Sequence, residues 1–130
     1  MADSIEDWSL DGTQGHLGWH YGFYNASEDT DGYDADDFQV FPGDSWTSES
    51  WDLSVGTAPW TSIGRDSAHP NGTNSGDEHW AVRRWTASIP GTLVVQWRLA
   101  KQVSGGKGVT CRVLHEGVEV DSGAINGGDM

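Results

Sequence analysis

The stretch EHWAVRRWTAS, residues 78–88, decides how this chain is read. Two adjacent arginines, Arg83 and Arg84, stand between Trp80 and Trp85 in a chain with only seven Lys+Arg against twenty Asp+Glu. The aromatic and β-branched residues around them predict a strand over 79–88. Neighbouring side chains on a strand point to opposite faces. Arg83 therefore shares a face with His79, Ala81 and Trp85, and Arg84 shares the other with Trp80, Val82 and Thr86. Whichever face is the core, one arginine points outward beside an aromatic ring. The other must be tied down in the interior or lie at its rim.

The rest of the chain repeats this strand-and-turn character. The 130 residues suffice for one core. Glycine is abundant at 18, eight residues are tryptophan, and the Leu/Ala/Glu/Lys content of a helical bundle is missing. LGWHYGFY (17–24) and FQVF (38–41) read as strands, PWTSIGR (59–65) as a short one, and DSAHPNGTNSGDE (66–78) as a loop. TLVVQWRLA (92–100) has the cleanest alternation, with Leu93, Val95, Trp97 and Leu99 on one face, and predicts a strand with Trp97 in the core. VTCRVLH (109–115), a turn at Glu116-Gly117, and VEVDSG (118–123) predict a hairpin. No segment of useful length has a helical period. The expected fold is all-β, a single antiparallel β-sandwich of jelly-roll type over residues 1–130.

Charge and cysteine content narrow the functional classes. A formal net charge of −13 with no basic stripe argues against nucleic acid and anionic membrane surfaces as partners. A single cysteine, Cys111, leaves no intramolecular disulfide, and its place on the face of Val109 and Val113 predicts an inert, buried thiol. No apolar run is long enough to span a membrane. MADSIEDW is too acidic for a signal peptide, so the expectation is a secreted module whose targeting segment is not part of this stretch.

Enzyme motifs do not come together. Gly-x-Ser-x-Gly, phosphate-loop, His-Glu-x-x-His and Cys-x-x-Cys patterns are missing. The five histidines have no metal-site spacing. Carboxylates abound, but a glycosidase pair needs a deep, rigid cleft that one small sandwich seldom supplies. The acidic run SEDTDGYDADD (27–37) has the beginning of a calcium loop in Asp29-x-Asp31-Gly32, without the later ligands of an EF-hand. A structural Ca²⁺ held by Asp29, Asp31, Asp34, Asp36 or Asp37 with backbone carbonyls is one reading. A solvated acidic loop is the other.

Sugar binding suits the composition better. Sugar rings present C–H patches that lie against flat aromatic faces, surrounded by hydroxyls that want forked polar partners. Aromatic residues sit beside such partners at Trp19-His20-Tyr21, at Trp46 and Trp51 within a Ser/Thr/Asp loop, at Trp60 near Arg65 and Asp66, and at Trp80 next to His79. Trp46 and Trp51 read either as core or as platform, and Trp60 leans toward core. The candidate ligand-binding residues are Trp19, Tyr21, Trp46, Trp51, Trp60, Arg65, His69, Arg83 and Arg84.

The order GTQGHLGWHYGFYNAS (12–27), DADDFQVF (34–41), HP (69–70), HWAVRRWTAS (79–88), PGTLVV (90–95) and GGKGVTCRVLHEGVEV (105–120) resembles β-sandwich modules appended to bacterial secreted polysaccharide-degrading enzymes, of the carbohydrate-binding kind. The resemblance implies a non-catalytic module that binds a cell-wall or algal polysaccharide, most simply a β-linked glycan, with a parent enzyme in cis. It implies that the inward arginine is a tie to a carboxylate or to loop carbonyls, while the outward one meets sugar hydroxyls or an acidic sugar. Modules of this look continue with further strands where this chain stops at Met130. A shortened sheet would expose an edge that a second copy could pair, giving a homodimer. The alternative is a calcium-stabilised structural or adhesion module without a sugar site.

Overall fold

The structure is a computed structural model and describes residues 1–103 and 105–127. It is all-β with antiparallel pairing. Among the described residues the only helical pieces are three-residue 3₁₀ turns, and no helix is long and apolar enough to cross a membrane. The chain divides into two compact units, Met1–Pro90 and Gly91–Met130.

The first unit holds two three-stranded sheets. One has the order β2-β1-β6, built from β1 (Trp19–Asn25), β2 (Gln39–Val40) and β6 (His79–Trp85). The two aromatic-rich stretches identified in the sequence are partners: Trp19 faces Trp85, Tyr21 faces Arg83 and Asn25 faces His79. β2 joins the far edge through Gly22↔Val40 and Phe23↔Gln39. The other sheet, β3-β4-β5, comprises β3 (Trp51–Asp52), β4 (Ser62–Ile63) and β5 (Ala68–His69). Such two-residue strands are held by register as much as by length. Trp51 pairs with Ile63, and Ser62 pairs with both Asp52 and His69.

One apolar cluster draws on both sheets and on the N-terminal segment. Trp8, Tyr21, Phe41, Trp51 and Ile63 form it, with Trp19, Phe23, Trp46, Leu53 and Ala81 packed around them. The edge of the Trp8 ring meets Tyr21 at 4.8 Å, and Phe41 stacks on Trp51 at 6.2 Å. Large aromatic rings thus fill a core that is poor in Leu and Ile.

The second unit contains a hairpin. β7 (Gly108–His115) and β8 (Val118–Asn126) pair from Gly108↔Asn126 to His115↔Val118, with a register shift at Val113/Leu114. Glu116 and Gly117 close it with φ of 53° and 82°. Two positive φ values are what a two-residue turn needs to follow the strands' twist. Residues 92–100 are a correction: they form no strand. Val94 is 81% exposed, and of this segment only Trp97 and Leu99 are half-buried. Alternation shows which side chains share a face, but a ladder also requires an open edge aligned with the segment. Trp97 instead lays its ring where a Cβ at Gly123 would stand, 2.8 Å away, and donates from Nε1 to Asp121 Oδ2 at 2.8 Å.

Candidate ligand-binding faces

The two arginines take opposite roles, as alternation requires. Arg83 lies on the Tyr21 side of the β1–β6 ladder. Its guanidinium sits 5.7 Å from the Trp8 ring centre and 5.9 Å from that of Tyr21. Nη2 donates to the carbonyls of Gly64 and Ser67, and Nη1 donates to Ser4 O at 3.4 Å. It is therefore a tie to loop carbonyls rather than a ligand contact. Burial lowers its pKa, while Tyr21 and Asp66 act the other way, yet a guanidinium remains a cation.

Two more candidates prove to be interior. Tyr21 is 0% exposed and Trp51 is 2% exposed. Tyr21 shares Arg83's face, and Trp51 is drawn in by its pairing with Ile63. The Tyr21 hydroxyl has no hydrogen-bond partner among the described residues, and burial raises its pKa. Trp19 and Trp46 are half-buried at the core's margin. Trp19 Nε1 donates to Asp7 Oδ2 at 3.3 Å, and Trp46 packs 5.2 Å from Trp51. Arg65 is exposed, with Nε donating to Ile5 O at 3.1 Å.

Trp60, which the sequence leaned toward the core, is instead the exposed indole, at 44%. Thr61 and Ile63 are both 0% exposed, while Ser62 is half-buried and Trp60, two residues before Ser62 and just outside β4, is exposed, the alternation of an extended chain. Ser62's neighbour His69 lies on the same side of the sheet as Ser62. The backbone beneath the indole is fixed. Trp60 N donates to Asn71 Oδ1 at 2.9 Å, and Asn71 Nδ2 donates to Asp77 O at 2.8 Å. Asn71 is itself 1% exposed and bridges to His79 through both backbone groups. Sequence reasoning missed Asn71 because Pro-Asn-Gly reads as a turn whatever its side chain does. His69 Nδ1 lies 2.6 Å from Pro70 O. A carbonyl can only accept, so Nδ1 carries the proton and Nε2 is left for another partner. This face thus offers a flat ring, a hydroxyl and a directed imidazole.

The outer side of β2-β1-β6 forms a second face. Arg84 pairs with His20 and extends over the Phe38 ring at 5.3 Å, with Nη1 donating to Ala35 O at 3.3 Å. His20, Phe38, Val40, Arg84 and Thr86 line a depression of about 270 Å³. Gly22 makes the floor possible, since a Cβ there would stand 2.7 Å from the Phe38 ring. Beyond it, Tyr24, Tyr33 and Trp80 pack on one another, with Tyr33 stacked on Trp80 at 5.9 Å.

The acidic run folds back on itself. Asp34 accepts from Asp36 N at 2.8 Å, and Asp37 accepts from Asp34 N at 2.8 Å, so together they cap one 3₁₀ turn. Tyr24's hydroxyl donates to Asp29 Oδ2 at 2.6 Å; this bond holds the Asp29 carboxyl below its ordinary pKa, while burial first, and then Asp29, push the phenol far up. Asp31 N also donates to Asp29. Glu28, Asp29, Asp36 and Asp37 border a hollow of about 290 Å³. Among the described residues, no three His, Cys, Asp or Glu side chains are gathered to hold a metal. His79 is buried, shares a bond with Thr61 Oγ1 at 2.7 Å, and has its pKa lowered by burial. Cys111 is half-buried, and burial raises its thiol pKa.

Searches against protein-family models, curated proteins and solved structures found no match for this chain.

Proposed function

We propose that this protein is a non-catalytic carbohydrate-binding module. Its two small sheets would be layered as a β-sandwich, and the ligand would be a β-linked cell-wall or algal polysaccharide. One observation carries the reading: Trp60, an exposed indole on a backbone clamped by a buried asparagine, shares its face with Ser62 and the oriented His69. A pyranose ring stacked on the indole would bring its hydroxyls within reach of both polar groups. Preorganisation matters here because ordering a loop on binding subtracts directly from affinity. A single shallow platform binds weakly, and attachment to a secreted glycan-degrading enzyme would raise the effective concentration at the substrate. A second copy meeting an open edge of the β7–β8 hairpin would add avidity.

The test is affinity electrophoresis through a panel of soluble β-glucans, xylans, mannans and galactans. At least one should retard the protein, and Trp60→Ala should weaken that retardation about tenfold or more, a loss of about 1.4 kcal/mol. Unchanged mobility across the whole panel would remove the reading. A calcium titration of the melting temperature tests the alternative, a calcium-stabilised structural module. That alternative requires a large rise with calcium and none with glycan.

A further inference from the structure

We infer that the Arg84 depression is a second binding site, separate from Trp60, and that its ligand is a sugar ring bearing one carboxylate, a uronic acid. Arg65, Arg83 and Arg84 are the whole Lys and Arg complement of residues 1–90. Arg83 is tied to three loop carbonyls, and Arg65 Nε is bonded to Ile5 O. Arg84 is different. Asp34, Asp36 and Asp37 flank the Ala35 carbonyl that it touches, yet among the described residues no carboxylate lies within 4.0 Å of its guanidinium. Asp34 and Asp37 are directed to their own turn instead. In so acidic a stretch, this leaves an exposed guanidinium without an ionic partner among the described residues, 5.3 Å from the centre of the Phe38 ring.

The shape of the hollow selects the ligand. Phe38 and Val40 supply an apolar floor for ring C–H groups, and His20 and Thr86 supply polar edges for hydroxyls. A guanidinium matches a carboxylate with two parallel hydrogen bonds, which a neutral sugar cannot offer. At about 270 Å³ the space lies just below the usual range for small-molecule pockets, about 300–1,000 Å³, so it suits one ring rather than a chain.

The experiment titrates the whole chain with methyl β-glucuronide, methyl β-glucoside and acetate, followed by calorimetry and by the backbone amide resonances of His20 and Thr86. The glucuronide should saturate in the millimolar range, about 4 kcal/mol of binding, and shift both amides. The glucoside and acetate should each bind at least tenfold more weakly. Arg84→Gln and Arg84→Lys should both weaken glucuronide binding tenfold or more, and Trp60→Ala should leave it unchanged. Equal binding of acetate would reduce the site to a simple anion contact and overturn the inference. Equal binding of the glucoside, or an Arg84→Gln protein that still binds, would overturn it too. Because Trp60 immediately precedes the other sheet's β4 and lines no part of this depression, failure of its site leaves this result readable, and the reverse also holds.

Discussion

The Thr61 hydroxyl and His79 Nδ1 lie 2.7 Å apart, both side chains buried, and join the segment that carries Trp60 to the strand that carries the two arginines. Burial lowers the His79 pKa from its ordinary 6.5, while Asp77 and Glu28 oppose the shift. The folded protein therefore holds His79 neutral at a pH where the unfolded chain already binds a proton. Stability is fully present above about pH 6.5 and falls as the pH drops toward the lowered value. Urea midpoints measured between pH 7.0 and 5.0 should decline over this window. His79→Asn, which retains a polar atom near Nδ1 but does not titrate, should flatten the decline. An equally steep fall in that variant would show that other groups control the acid limb.

Arg83→Met tests the tie. Methionine replaces the packed stem beside Trp8 and Tyr21 but leaves the Gly64 carbonyl without the Arg83 donor and the Ser67 carbonyl with Gly64 N alone. Hydrogen bonds to charged groups contribute about 1.5–3 kcal/mol each, so a loss of about 2–4 kcal/mol is expected from urea melts. Lysine should rescue little, because one ammonium cannot reproduce the fork that reaches Ser4 as well. A variant within 0.5 kcal/mol of the parent, on the order of surface-mutation noise, would mean the carbonyls find water instead.

Gly22→Ala probes the floor of the Arg84 depression. The added methyl would meet the Phe38 ring at 2.7 Å and press on the β2 backbone. Overpacking of this kind costs about 1–3 kcal/mol. Because Phe38 carries the Arg84 guanidinium, the same variant should also lose glucuronide affinity. Parent-like stability together with parent-like affinity would show that β2 moves aside at no cost.

Some of this was legible in the sequence, and the division has a physical cause. The β1 and β6 stretches are seven residues each, long enough for alternation to separate Arg83 from Arg84, while the register that joins Tyr21 to Arg83 and His20 to Arg84 is a property of the pairing. The hairpin was legible from Glu116-Gly117, since turn chemistry is local. Two-residue strands carry no period, so the sequence leaned Trp60 toward the core and left Trp51 open, the reverse of what the structure shows. Both lie among Ser, Thr and Asp, and only the register Trp51↔Ile63 decides between them. Residues 92–100 failed in the opposite way: their pattern is strong, but patterns do not name a partner strand.

The two tryptophans just separated make the sharpest contrast. Trp51 is 2% exposed and stacks on Phe41, whereas Trp60 is 44% exposed and rests on a clamped backbone. Trp51→Ala should leave a cavity at the junction of the two sheets and cost about 3–5 kcal/mol, enough to threaten folding of so small a unit. Trp60→Ala removes a ring with nearly half its surface in solvent and should cost less, about 1–2 kcal/mol, since the Asn71 bond is to its backbone. Thermal melts followed by circular dichroism would compare the two, with each 1 kcal/mol shifting Tm by about 4–8 °C at this size. Glycan retardation should show the reverse order, lost in Trp60→Ala and retained in whatever fraction of Trp51→Ala stays folded. If Trp60→Ala melted as early as Trp51→Ala, the indole would be a structural element, and the platform assigned to it would have no basis.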